Sequence, residues 1–259
     1  MTSRPCNILC FGDSLTSGYC DWGYTSHPYS ICLQDRIAQE LPPGTRFEVF
    51  TNGEPGECAG EDSFRSRLEV ELEKRTYDWV IMLGGTNDLG SFVSPEDIFQ
   101  ALHDHWHRVL RKGCKILALT IPECGARHER LDRARKIVND RIMSYQAENY
   151  HAFDLRSHIP YHSLTEDEQD TLWDDGLHLT VDGYNWMGAH IADAFIPLLK
   201  QDLQKTTSKD RYSSSKPSSA ARRPTKYEDD DRVFEEEGDG ADKRDIKAGY
   251  VVVRKRDLE

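Results

Sequence analysis

The sequence predicts a three-layer α/β/α sandwich on a five-stranded parallel sheet, and three observations carry the prediction. Short apolar runs alternate with amphipathic stretches from near the N-terminus to about Leu203. Each run is almost continuously apolar, the pattern of a parallel strand covered on both faces. The connections are short, and alternating β and α elements so joined form a parallel sheet flanked by helices.

In chain order, residues 7–11 read as the first strand, and 29–40 as a helix with Ile31, Leu33, Ile37 and Ala38 as its apolar positions. The second strand is 47–51. A helix over 63–75 follows, with Phe64, Leu68 and Leu72 recurring at the spacing of one helix face. The third strand is 79–83. Ser94 then offers an N-cap, Pro95 a first helical residue, Glu96 and Asp97 an acidic first turn, and Gly113 a stop. Residues 115–121 read as the fourth strand, 129–148 as a helix and 150–154 as the fifth strand. A last helix starts near Thr180 and runs through Trp186, Ile191, Phe195 and Leu199, with Pro197 bending its final turns.

Composition separates a body from a tail. Apolar residues are 37% of the 259 and charged residues 30%, and both departures from the globular average arise after residue 203. The expected division is a folded domain over 1–203 and a disordered charged tail over 204–259, where blocks of charge with few apolar groups cannot repay the entropy of ordering. Within the tail, Tyr250-Val251-Val252-Val253 is a candidate strand for docking on a protein partner. Basic and acidic residues nearly balance there, so the net charge of −12 belongs to the body. An acidic body repels phosphate backbones, which argues against nucleic acid as a partner. No apolar stretch is long enough to span a membrane, and the N-terminus lacks the pattern of a secretory signal. Seven cysteines without a CxxC pair fit reduced thiols. The expected location is therefore cytoplasmic.

In open parallel sheets, sites form beyond the carboxyl ends of the strands. After the first strand comes Gly12-Asp13-Ser14-Leu15, where a serine between small residues presents its hydroxyl at the sheet rim. After the second comes Asn52-Gly53-Glu54-Pro55-Gly56, and after the third Gly84-Gly85-Thr86-Asn87-Asp88. Ahead of the last helix, Asp174-Asp175-Gly176-Leu177-His178 supplies a carboxylate and an imidazole close enough for one turn to aim both at one point. Asp175 fits the orienting role by its offset from His178, with Asp174 the neighbouring candidate. Serine is a weak nucleophile until a base takes its proton, and imidazole oriented by a carboxylate is suited to that task.

The chain resembles the SGNH hydrolases, also called the GDSL esterase/lipase family, over roughly residues 7–200. The four blocks are matched by Gly12-Asp13-Ser14-Leu15, by Gly56, by Gly85-Thr86-Asn87-Asp88 and by Asp175-Gly176-Leu177-His178. The resemblance implies a flavodoxin-like strand order, Ser14 as nucleophile, and His178 as base oriented by Asp175. It implies an oxyanion hole from the backbone N–H groups of Ser14 and Gly56 and the side chain of Asn87, with Gly53 as the alternative to Gly56. The expected activity is hydrolysis of small-molecule carboxylic esters through an acyl-enzyme, with no cofactor and no metal. Alternatives on the same site are a thioesterase or lysophospholipase and a carbohydrate acetylesterase; another is an inactive binding module working through its tail.

The loop after the nucleophile carries Tyr19, Tyr24 and Tyr29, which are candidates for lining the substrate site because apolar surface is expected there. His103, His105 and His107 resemble a metal cluster, but only His103 and His107 share a helix face, so a solvated face is the expectation. Cys58 and Glu123 fall near strand ends without an assigned role.

Overall fold

A computed structural model describes residues 4–214. In chain order the elements are β1 (Cys6–Gly12), α1 (Ser14–Ser17), β2 (Tyr19–Cys20), β3 (Thr25–Ser26), α2 (Ser30–Glu40), β4 (Phe47–Gly53), α3 (Asp62–Lys74), β5 (Trp79–Met82), α4 (Thr86–Gly90) and α5 (Pro95–Arg111). They continue as β6 (Lys115–Leu119), α6 (Glu129–Ser144), β7 (Tyr150–Phe153), α7 (Leu155–His158), α8 (Glu166–Leu172) and α9 (Val181–Ser214). Five strands form one parallel sheet in the order β4-β1-β5-β6-β7. β2 and β3 make a separate antiparallel hairpin.

The apolar continuity of the strands has its cause in two cores. On one face Ile8, Cys10, Trp79 and Ile81 pack against Leu33 and Ile37 of α2 and Phe195 and Leu199 of α9. On the other, Leu9, Phe11, Val80 and Met82 pack against Phe64 and Leu68 of α3, Trp106 of α5 and Val138 of α6. Successive residues of β1 thus feed opposite cores, as the pleat requires.

The ends of elements differ from expectation for local reasons. The fourth strand stops at Leu119, because Ile121 leaves the ladder for the Asn139 side chain. Its N–H donates to Oδ1 at 2.8 Å, and Nδ2 returns a bond to its carbonyl at 2.9 Å. The helix expected to reach residue 148 stops at Ser144, where Tyr145 turns to an extended conformation and packs its ring on Trp106 and Tyr150. Ser94 caps α5 as expected, accepting from the Asp97 N–H at 3.1 Å.

The expected body–tail boundary at residue 203 falls inside α9, which continues to Ser214. Leu203 of α9 packs on the core. The chain divides into one compact unit ending at Ser208 and a second from Lys209. Most of the expected disordered tail, including Tyr250–Val253, lies outside the described residues.

Candidate active site

Ser14 sits where β1 passes into α1. Gly12 makes the passage possible: a Cβ there would stand 2.1 Å from the Leu83 carbonyl oxygen and 2.4 Å from Thr16 Oγ1. Asp13 caps α1, its Oδ1 accepting from the Leu15 N–H at 3.0 Å. The other oxygen, Oδ2, is buried without a partner among the described residues. Burial pushes the Asp13 carboxyl up to about 7, against the Leu15 bond and with the help of the Asp88 charge. Ser14 is the first residue of the helix, a position whose N–H has no intrahelical partner. It is only 4% exposed.

His178 reaches Ser14 from a chain position 164 residues away, with Nε2 2.9 Å from Ser14 Oγ. Its Nδ1 lies 2.8 Å from Asp175 Oδ2. Asp175 Oδ1 accepts the backbone N–H groups of Leu177 at 2.9 Å and His178 at 2.7 Å. Burial alone would raise the Asp175 carboxyl, but the bonds from the His178 ring and from these two N–H groups outweigh it and hold it below the ordinary carboxylate range. An ionised carboxylate only accepts, so Nδ1 carries the proton and the Nε2 lone pair faces the Ser14 hydroxyl. The neighbouring Asp174 turns elsewhere, accepting from the Asp21 N–H at 2.8 Å. The Tyr19 ring lies 4.5 Å from the imidazole, centroid to centroid.

Gly56 and Asn87 line one cavity of about 290 Å3 together with Leu15 and Leu177, the residues next to Ser14 and His178. Gly56 has φ +82 and open space where a side chain would be. Gly53 is different: a Cβ there would stand 2.3 Å from the Ser17 nitrogen and 2.6 Å from the Asp13 carbonyl oxygen, so it serves the close packing of β4 on α1. Asn87 donates from Nδ2 to the Glu57 carbonyl at 2.9 Å. Asp88 accepts from the N–H groups of Ala59 at 2.8 Å and Gly60 at 3.0 Å. These bonds tie the loop after β4 to α4.

Arg67 supplies the tie that the sequence did not reveal. From α3 its Nε donates to Glu57 Oε2 at 3.0 Å, Nη1 to the Asn52 carbonyl at 2.9 Å, and Nη2 to the Gly12 carbonyl at 2.8 Å. Its guanidinium also lies 4.1 Å over the Phe11 ring. One side chain therefore joins the ends of β1 and β4 to the residue after Gly56. No local signal marks it, because an arginine on an amphipathic helix reads as a solvated one.

The candidate tyrosines separate. Tyr19 touches His178, Tyr24 is 86% exposed, and Tyr29 has no exposed surface. Tyr29 is thereby corrected from a substrate-lining residue to a core residue, since it sits at the start of α2 against the α9 backbone at Gly188. The histidines also need correction. His105 is buried and its Nε2 lies 2.8 Å from the Ala59 carbonyl, while His103 and His107 share a face as expected. Among the described residues, no group of three potential ligands is placed to hold a metal ion. Nor is any helix among them long and apolar enough to cross a membrane.

Residues 10–186 match the model of the GDSL-like lipase/acylhydrolase family. The chain belongs to this family. Its fold is shared by a lipase/acylhydrolase from Enterococcus faecalis, with 23% identity, 74% of this chain and 96% of that one covered, and a TM-score of 0.60. It is likewise similar to Est24, a carbohydrate acetylesterase from Sinorhizobium meliloti (20% identity, 74% and 99% covered, TM-score 0.56). A third relative in fold is an aryl esterase from M. smegmatis (20% identity, 73% and 98% covered, TM-score 0.56). Among curated proteins, none matches the chain.

Proposed function

We propose that the chain is a serine esterase in which Ser14 is the nucleophile, His178 the general base and Asp175 the group that orients it. The observation that carries this reading is the continuous chain of bonds from Ser14 Oγ through both ring nitrogens of His178 to Asp175. In the first step Nε2 takes the Ser14 proton while Oγ bonds to the ester carbonyl carbon. The charge that develops on the carbonyl oxygen is met by the N–H groups of Ser14 and Gly56 and by the Asn87 amide. The C–O bond to the alcohol then breaks, and the imidazolium returns its proton to the departing oxygen. Water, deprotonated by the same imidazole, releases the acid and restores Ser14. No cofactor is required by these steps.

The cavity bearing Gly56 and Asn87 is at the small end of ligand sites, which run to about 300–1,000 Å3. That size favours short acyl groups, and with them the acetylesterase reading over a lysophospholipase. Ser14→Ala should abolish hydrolysis of p-nitrophenyl acetate and labelling by a fluorophosphonate probe while the thermal melt persists. Turnover of p-nitrophenyl esters should decline as the acyl chain lengthens. A folded Ser14→Ala protein with near wild-type turnover would refute the assignment.

A further inference from the structure

The cavity of Gly56 and Asn87 also holds a charged group that ester hydrolysis as such does not use. Arg135, on α6, lines it while only 4% exposed. Its Nη1 donates to Asp132 Oδ1 at 2.8 Å and its Nη2 to Cys124 Sγ at 3.2 Å. Its Nε is buried and has no hydrogen-bond partner among the described residues. Asp132 engages a single nitrogen and its side chain is 46% exposed, while a thiol sulfur is a weak acceptor. A buried guanidinium is costly to desolvate and is ordinarily met by a two-oxygen partner along its fork. Within the protein, Arg135 is under-supplied with acceptors.

The other charges around the cavity do not supply them. Glu123 lines it too, but its Oε1 accepts from Arg156 at 2.8 Å, and its Oε2 from the N–H groups of Tyr161 at 3.0 Å and His162 at 3.2 Å. The N–H bonds and the Arg156 charge hold that carboxyl below its ordinary range despite burial. Its negative charge is thus matched by Arg156, and Arg135 keeps its unused donors.

Which part of a substrate meets Arg135 follows from the proton path. His178 must reach the departing alcohol oxygen, whereas the proposed oxyanion donors belong to the cavity wall. The acyl group therefore occupies the cavity. Leu131 and Leu177 give that space apolar sides, and about 290 Å3 accommodates only a short chain. Resting on the esterase reading of Ser14, we propose that the cavity takes a short acyl chain ending in a carboxylate, which Arg135 binds. The favoured substrates are then monoesters of small dicarboxylic acids, of succinate or glutarate size.

The test compares monomethyl glutarate with methyl pentanoate, which differ only in the terminal group, by pH-stat hydrolysis on the full chain. A charge-assisted bond implies that the wild-type protein prefers the glutarate ester by about tenfold or more in kcat/KM. Arg135→Met should bring that ratio close to unity. Hydrolysis of both esters without preference by the wild-type protein would overturn the carboxylate site and leave the esterase reading standing. A ratio unchanged in Arg135→Met, with both rates lowered together, would overturn it as well. Failure on both esters together with no fluorophosphonate labelling of Ser14 would remove the esterase reading and this proposal with it. If Arg135→Met does not fold, labelling of the wild-type protein decides. Monomethyl glutarate should then slow labelling at concentrations about tenfold below those of methyl pentanoate, and equal concentrations would overturn the site.

Discussion

Asn87 gives one Nδ2 hydrogen to the Glu57 carbonyl, which leaves the second N–H of the amide for the cavity. Its removal should act twice. Loss of a donor to the forming oxyanion lowers kcat by about 10²–10³-fold, with KM changed little where acylation limits the rate. Loss of the bond to Glu57 costs about 0.5–1.5 kcal/mol of stability. Steady-state kinetics and a thermal melt on one Asn87→Ala preparation check both; a lowered melt with normal kcat would confine Asn87 to the loop tie. Asp13 carries a different signature. Its carboxyl is raised to about 7 by burial, above the value near 3.9 of an unfolded chain. Between those values the folded state holds a proton that the unfolded state has lost, so stability falls as pH rises, by up to about 1.4 kcal/mol per pH unit. The loss is complete above about 7. Asp13→Asn keeps an acceptor for the Leu15 N–H and removes the titration. Its melting temperature should gain on the wild type as pH is raised from 5 to 8, and parallel pH profiles would contradict this.

The loop following β4 depends on helices far from it in sequence. Asp88 of α4 holds Ala59 and Gly60, and Arg67 of α3 holds Glu57 beside Gly56. Glu57 is 7% exposed, so Arg67→Met leaves a buried carboxylate without its cation. A loss of about 3–5 kcal/mol is expected from denaturant unfolding. Arg67→Lys keeps the charge but loses the fork that reaches Asn52 and Gly12, and should recover only part of it. Because Glu57 adjoins Gly56, kcat should fall in both variants at temperatures where each is fully folded, whereas a purely structural Arg67 would leave kcat untouched. The β2–β3 hairpin meets His178 through the Tyr19 ring. Asp21 and Trp22 there have φ of 50 and 53, a conformation costly for residues with a Cβ. The bond from the Asp21 N–H to Asp174 joins this turn to the Asp-x-x-His loop. Strain and tether lie together beside Tyr19 and the imidazole.

For the molecule as a whole, α9 closes the core on the face opposite α3 and α5. Leu199 is fully buried, and Asp202 accepts from the Trp79 indole at 3.3 Å and pairs with Lys115. A chain ended at residue 208 should keep a cooperative melt and the esterase activity. One ended at 198 loses Leu199 and the Asp202 bonds, and should be destabilised by more than the about 2–5 kcal/mol of one large core truncation. Equal melting temperatures of the two truncated chains would show that the end of α9 carries no core. The strands were legible because both faces of the sheet are covered, which leaves near-continuous apolar runs such as Ile8–Phe11 in the sequence; their order was expected only from the family resemblance. The short helices were not legible, except that Thr165 and Glu168 of α8 carry the capping-box spacing.

What the sequence determined by itself were local quantities: strand spacing, the composition change after Leu203, and four short blocks at the rim of the sheet. Each depends on neighbours along the chain, where periodicity and turn chemistry act. Tertiary structure decided which groups meet. It put Asp175 rather than Asp174 on the imidazole, opened Gly56 to the cavity while packing Gly53 on α1, and sent Tyr29 to the core but Tyr19 to His178. It also brought Arg67 to the strand ends and Arg135 to the cavity. These outcomes turn on side-chain direction in loops and on partners as distant as Ser14 and His178, and local periodicity holds no record of either.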